Sequence, residues 1–454
     1  MRVECIKIKK LKVSEQKLIG FSSKVGLIMA AAGSAVGLGN IWKFPYIAGE
    51  SGGGAFLIIY LLCVIVFGLP LLVTEFMIGK RSGKSAYGAF RQLSGNNRWQ
   101  WLGWLSMLTA FIIMGFYFVV TGWCFNYLVE AIRHTFHGQD AAALNAYFDG
   151  FVGNIPRVLL YSVVPVVLTA SVLWFDVNKG IEKLSKILMP LLLIMMLLMA
   201  GRVLMLDGSN VGMQFFFRID FSQITPYVVL EAMGQCFFSL SIGMGALITY
   251  GSYMPRYQSV PAASVQVAVL DTLVAVLAGL IIFPAVFAFG FNPAEGPELA
   301  FVVLPAILEK MSFAWLSGVL FFGLLCIAAV TSTISLMEIV VAFFCEATAE
   351  TRHPLNRHKS VLLVSAIVVL MIALCVVANL FDFYDKVTSC IMMPLGALGM
   401  SIFVGWGLSR NGDQQPQFNA KGIKRPVVAL YLLSIRWIVP IAILLIFLYN
   451  IGLI

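Results

Sequence analysis

The chain has 454 residues, 60% of them hydrophobic and 12% charged, with a net charge of +9 and a mean hydropathy of +0.91. Soluble domains carry about 25% charged residues, so the composition excludes an ordinary soluble fold and indicates an all-α polytopic membrane protein. Apart from Lys43 and Arg436, which lie within apolar runs, the Lys and Arg residues sit in or beside connectors, without the aromatic-interleaved basic stripe of a nucleic-acid binder, and no nucleic-acid partner is expected.

In chain order, MRVECIKIKKLKVSEQK is basic and precedes an apolar run too long for a signal-peptide core. Residues 1–23 therefore read as a cytoplasmic tail. Eleven spans are predicted at 24–49, 53–79, 103–132, 157–175, 182–204, 227–252, 262–291, 315–348, 360–379, 386–408 and 427–450. Several exceed the roughly 20 residues needed to cross, so tilt or extension beyond the bilayer is expected. With the N-terminus inside, the tail and segments 80–102, 176–186, 253–261, 349–359 and 409–426 hold 23 Lys and Arg (Lys24 counted with the tail), against six in the outer segments. That bias sets the N-terminus inside, and an odd number of spans then puts the C-terminus outside. The eight cysteines form no CxxC pair and read as small core residues. His134, His137, His353 and His358 lie in polar connectors and suggest neither a metal site nor an intramembrane relay. The chain has no Asn-x-Ser/Thr sequon, in keeping with a multi-pass protein of a bacterial inner membrane.

The first span contains GSAVGLGNIWKFP at 33–45, where hydrocarbon demands an unbroken helix. The sixth contains Ser241-Ile-Gly-Met-Gly-Ala246, the same small–branched–Gly–apolar–Gly pattern as Ala35-Val-Gly-Leu-Gly-Asn40. Five spans separate the two, so they run in opposite directions. Paired interruptions of this kind point to inverted repeats with a binding site between them. Backbone freed by a break is tolerated where it lines a cavity. Its carbonyls suit Na⁺, its N–H groups at the start of a half-helix suit a carboxylate, and Asn40 adds a neutral oxygen. Asp271, alone in VAVLDTLVAVLAG, is a functional candidate by its cost in lipid. Thr331 and Ser332 suit Na⁺ equally well as they suit bonding to their own helix backbone. Glu231, Glu338 and Arg436 are assigned structural roles. No HExxH, Ser/His arrangement or convergent aspartyl pair is present, so an enzyme is not expected.

GSAVGLGNIWKFPY followed by GGGAFLIIY, with GQCFFSLSIGMGALITYGSYM at 234–254, AAVTSTISLMEIVVAF at 328–343 and FDFYDKVTS at 381–389, resembles the neurotransmitter:sodium symporter family, which includes bacterial leucine and tryptophan transporters. The motifs occur in family order along nearly the whole chain. The resemblance implies a LeuT-like fold: an inverted five-helix repeat over 24–204 and 227–408, broken first and sixth helices, and an additional helix at 427–450. It implies sodium-coupled symport of an amino acid by alternating access, in a monomer or homodimer surrounded by membrane lipid.

By the same resemblance, two Na⁺ ions are expected. One would meet the Ala35 carbonyl, Asn40, Ser239, Asp271 and the substrate carboxylate. The other would meet the carbonyls of Gly33, Val36 and Ala328 and the hydroxyls of Thr331 and Ser332. The substrate would take its carboxylate to the N–H groups of Leu38 and Gly39 and to Tyr117, and its ammonium to Ala35, Phe238, Ser239 and Ser241. Its side chain would lie among Ser34, Ile113, Tyr117, Phe238, Ser241, Met244, Ser332, Thr333 and Leu336. This lining is mostly apolar and holds no charge, which favours a neutral, hydrophobic or aromatic L-amino acid. Amine-transporting members carry an aspartate in the first span; here the residues are Ala35, Val36 and Gly37, so the substrate brings its own carboxylate.

Asp271 stands where the leucine transporter and the animal members have asparagine. Beside Tyr60, Gln235 and Ser239 it would replace the chloride of chloride-dependent members, so chloride independence is expected. Proton coupling through Asp271 is the mechanistic alternative, and an amino-acid sensor that does not transport is another. Lys43 and Asp385 match the outer gate, with lysine in place of the usual arginine. Tyr253 and Glu346 match part of the inner gate. Its Arg-x-x-Trp is replaced by Leu18 and Phe21, with Lys17 a candidate substitute. Glu75 is expected in a polar network behind the two broken helices.

Overall fold

In hydrocarbon every backbone N–H and C=O must be paired within the protein, and α-helices do this within one segment. The computed structural model describes residues 20–95, 97–294, 299–311, 313–349, 351–408, 425–450 and 453. Among these residues all regular structure is helical. Among the described residues nine helices are long and apolar enough to cross a membrane: Gly54–Ser82, Asn97–Ile132, Ile155–Leu173, Asn178–Leu204, Val260–Ala288, Ala314–Ala347, Arg357–Val377, Phe381–Gly407 and Pro426–Tyr449. A tenth span results if Lys24–Ala35 and Gly39–Glu50, which meet at a 49° bend, are taken together. The sixth apolar run of the sequence is divided into Pro226–Ser239 and Ala246–Ser252, with residues 240–245 unwound between them. Most of the tail, with Lys17 and Leu18, and most of the connector 409–426 lie outside the described residues.

Burial divides the helices into two classes. Asn97–Ile132, Ala314–Ala347 and Val260–Ala288 are largely enclosed by protein, whereas Ile155–Leu173, Asn178–Leu204 and Arg357–Val377 expose most of their apolar surface. The exposed residues, such as Leu160, Val167, Leu197 and Leu370, form the face that suits lipid. Ala314–Ala347 and Val260–Ala288 pack against Lys24–Ala35, and Ala246–Ser252 packs against the end of Gly54–Ser82. Short helices Ala86–Ser94, Ala141–Val152, Ser209–Phe217 and Val303–Lys310 occupy the connectors. Single π-helical turns recur, as at Gly39–Lys43 and Val387–Met392; such turns are frequent at functional sites, and the apolar periodicity gives no sign of them.

Candidate functional site

The first break falls where the glycines are. Helix Lys24–Ala35 ends at Val36, whose extended ψ of 104° turns the chain out of the helix. Gly37 N–H donates to Asn40 Oδ1 (3.2 Å) and Leu38 N–H to the Tyr117 hydroxyl (3.1 Å). Gly37 is needed for space: a Cβ there would lie 2.4 Å from Ser332 Oγ and 2.7 Å from Tyr117 Oη.

The second break needs left-handed backbone. Ser241, Gly243 and Gly245 have φ of 55°, 94° and 78°, a conformation glycine adopts freely and serine rarely. Ser241 is therefore strained, and it makes a bond that joins the two breaks: its hydroxyl donates to the Ser34 carbonyl at 3.0 Å. The Gly243 N–H, freed by the unwinding, donates to Glu75 Oε1 at 2.8 Å. Glu75 is fully buried and supports the second break from behind.

Between the breaks lies a cavity lined by Ser34, Ala35, Gly37, Gly39, Ile113, Tyr117, Phe238, Ser241, Met244, Ala246, Ser332 and Leu336. Gly37 and Ala246 join the residues expected from the sequence. Thr333 does not: its hydroxyl pairs with Thr169 at 2.9 Å, on the neighbouring helix Ile155–Leu173. Successive helical residues are rotated by about 100°, so Ser332 and Leu336 face the cavity while Thr333 faces sideways. Leu38 and Ser239 also lie outside the lining.

Ser239 belongs to a second cluster. Its hydroxyl donates to Asp271 Oδ2 at 2.8 Å. Asn40 Nδ2 reaches Ser239 Oγ (2.9 Å), the Asp271 carbonyl (3.0 Å) and Asp271 Oδ1 (2.8 Å). The Tyr60 hydroxyl lies 3.3 Å from both Asp271 Oδ2 and Ser239 Oγ. Asp271 is fully buried, and its side-chain partners are these neutral donors. Asn40 presents its amide nitrogen to this acceptor, whereas the sequence argument used its oxygen. Gln235 donates to the Gly39 carbonyl (2.7 Å), and its Oε1 is buried without a partner, as is Ser34 Oγ.

On the other side of the first helix, Gly33 lies against Thr331, a Cβ there falling 3.3 Å from Thr331 Cβ. The Thr331 hydroxyl is engaged with its own helix, at Ala328 O (2.9 Å) and Ile327 O (3.1 Å). Ser332 Oγ reaches across to Val36 O at 3.4 Å.

The cavity is closed at both ends. Lys43 Nζ lies 3.7 Å from Asp385 Oδ1 and 4.4 Å from the centre of the Phe238 ring. At the opposite end the Phe21 ring packs edge-on against Tyr250 and Tyr253, and its N–H donates to the Tyr253 carbonyl (3.1 Å). The Tyr253 hydroxyl donates to Glu338 (2.8 Å) rather than to Glu346, which accepts from Ser85 N–H (2.9 Å) and lies 3.8 Å from Lys84. Arg357 grips Glu338 with both terminal nitrogens, at 3.0 and 2.7 Å. Sequence alone does not pair them: Arg357 is one charge in a basic connector, and Glu338 is assigned a structural role. Arg436, half-buried in an apolar helix, donates to the Gly405 carbonyl (2.8 Å).

Comparison with known proteins places this arrangement. The model of the sodium:neurotransmitter symporter family matches residues 19–151 and 136–453. The uncharacterised sodium-dependent transporter YhdH of Bacillus subtilis is 36% identical over 97% of this chain and 99% of its own length. A sodium-dependent transporter of Haemophilus influenzae is 32% identical over 95% and 97%. The crystal structure of MhsT in complex with L-phenylalanine superposes with a TM-score of 0.87 at 38% identity, covering 95% of this chain and 99% of that one.

Proposed function

The chain belongs to the sodium:neurotransmitter symporter family, and from that membership we propose that it is a sodium-coupled symporter importing a neutral, hydrophobic or aromatic L-amino acid by alternating access. The observation that carries this reading is the meeting of two interrupted helices across one closed cavity, tied by Ser241 and Ser34. The lining is apolar apart from hydroxyls and freed backbone, a surface that suits a zwitterion with an uncharged side chain. That MhsT is solved with L-phenylalanine supports an aromatic substrate. We assign eleven spans to the chain, counting each interrupted helix as one. The N-terminus is inside and the C-terminus outside, with repeats at 24–204 and 227–408, an added helix at 427–450, and location in a bacterial inner membrane.

In this reading Na⁺ travels with the amino acid as a second cargo. Asp271, Ser239, the Ala35 carbonyl and Asn40, with its amide turned to present Oδ1, bind one ion; Thr331, Ser332 and the carbonyls of Gly33, Val36 and Ala328 bind the other. Oxygen donors of this kind suit a hard cation. The driving work is electrical as well as chemical: each charge moved inward gains about 2.3 kcal/mol per 100 mV. Asp271 supplies within the protein the negative charge that a bound chloride would supply, so transport does not depend on chloride.

Alternating access then consists of opening one closure at a time. The Lys43–Asp385 contact is loosened on one side, and the Phe21 plug with Tyr253, Glu338 and Arg357 on the other. The test is uptake of labelled amino acids into proteoliposomes, with Na⁺, K⁺ or a pH gradient, and with chloride exchanged for gluconate. Accumulation that needs Na⁺ and ignores chloride is expected. Accumulation driven by a pH gradient alone would move the coupling to Asp271 and a proton, and binding without accumulation would make the protein a sensor.

A further inference from the structure

The turn that ends helix Asn97–Ile132 reads Arg-His-Thr-Phe-His-Gly over residues 133–138, and it folds against the short helix Val303–Lys310. His137 Nδ1 lies 2.6 Å from Glu309 Oε1. The His134 ring stands edge-on to that of His137, with centres 5.4 Å apart. One ligand atom from each of His134, His137 and Glu309 lies within 4.8 Å of the other two. No histidine ligation is expected from the sequence, where Glu309 follows His137 by 172 positions.

The backbone holds this cluster in place. His134 has φ of 63°, a left-handed conformation that histidine adopts more readily than most residues but still at a cost. Thr135 anchors the turn through its N–H to the Glu130 carbonyl (3.0 Å) and its hydroxyl to Glu130 Oε2 (2.6 Å). Trp315 Nε1 donates to the Ile132 carbonyl (3.1 Å), joining the turn to the helix that follows Val303–Lys310. The nearby cations are committed elsewhere. Arg133 and Arg157 pair with Glu130, and Lys310 lies over the Phe291 ring. Among the described residues Glu309 pairs with His137 and with no Lys or Arg.

Two imidazole nitrogens and one carboxylate oxygen suit zinc and its neighbours in the first transition row, whereas Mg²⁺ and Ca²⁺ favour all-oxygen sites. The geometry points to a divalent transition-metal site made by His134, His137 and Glu309, with zinc the natural occupant and water in the fourth position. Zinc bonds of roughly 2.0–2.2 Å set neighbouring ligand atoms about 3.4 Å apart in a tetrahedron. The His137–Glu309 contact must therefore open by less than about 1 Å, which the exposed His137 side chain is free to do. The ion would clamp the turn to Val303–Lys310 across the connector face opposite the basic loops.

Zinc alone, titrated onto the full-length protein in detergent against a chromogenic chelator and without a histidine tag, tests the site. One ion per chain is expected, with a rise in melting temperature as the folded state is stabilised. His134→Ala, His137→Ala and Glu309→Gln should each weaken binding by at least roughly tenfold, the lower end of what loss of a mere outer-shell partner costs. His353→Ala and His358→Ala should leave it unchanged. Cobalt(II) should show a visible ligand-field band in the native protein and lose it in His134→Ala. Melting in chelator reports whether each variant is folded. Equal zinc retention and an equal melting shift in the native protein and in the folded His134→Ala/His137→Ala double variant would overturn the proposal.

Discussion

The two polar centres that flank the first interrupted helix balance charge in different ways. At Asp271, side chains from several helices converge on one buried carboxylate: Asn40, Tyr60 and Ser239 all lie within 3.3 Å of it. At Thr331 there is no charge, and its hydroxyl is satisfied twice within its own helix, with Ser332 reaching Val36 at 3.4 Å as the link across. Releasing a cation from the first centre would leave a carboxylate with only neutral donors, which is expensive in a low-dielectric interior. Releasing one from the second would leave hydroxyls that already have partners. If both centres bind Na⁺ as proposed, the neutral one is the less costly to empty.

Replacing the charge should have the largest effect. Asp271→Ala removes a carboxylate whose charged hydrogen bonds are worth about 1.5–3 kcal/mol each, so Na⁺-dependent substrate binding should weaken by at least roughly tenfold to a hundredfold. Asp271→Asn keeps the shape and some of the hydrogen bonds. Transport by that variant should fall less and gain a response to chloride. Equal uptake by Asp271→Asn and the native protein, with and without chloride, would remove the asymmetry between the centres.

Second in size is Gly37→Ala. Its new Cβ would meet Ser332 Oγ and Tyr117 Oη at once, between the cavity and the neutral centre. Overpacking costs typically about 1–3 kcal/mol, so substrate affinity should drop roughly 5- to 100-fold in equilibrium binding. Thr331→Val comes third. It removes the neutral centre's hydroxyl without leaving an acceptor stranded, since Ala328 and Ile327 carbonyls remain in their helix. Apparent Na⁺ affinity should fall severalfold, by about 1 kcal/mol, while chloride should still have no effect. A larger loss than in Asp271→Ala would reverse the ranking of the two centres.

The reason some of this could be read from sequence and some could not is physical. Spans follow from apolar length, and Gly37 and Asp271 are conspicuous because hydrocarbon makes a loose backbone and a lone carboxylate costly. Ser241 is different: nothing in its side chain announces a left-handed φ of 55°, which the surrounding fold imposes. The Glu338–Arg357 grip joins two helices whose rotation about their axes the composition does not set. The same holds for the turn at 134–137 and Glu309, which only tertiary packing brings together.

Thr333 gives the smallest expected effect and the sharpest check on the geometry. By resemblance it belongs with the substrate pocket, yet its hydroxyl meets Thr169 and the Val330 carbonyl, away from the cavity. Thr333→Val would leave Thr169 without its partner, but a threonine hydroxyl in a helix can turn to its own backbone. The cost should stay near or below about 1 kcal/mol and appear as a small fall in melting temperature. Substrate and Na⁺ affinities should be nearly unchanged, whereas Ser332→Ala, one position earlier and facing both the cavity and Val36, should weaken both. If Thr333→Val instead changed which amino acids are accepted, the helix would have to be rotated from the position described, and the neutral centre, which shares that helix, would be displaced with it.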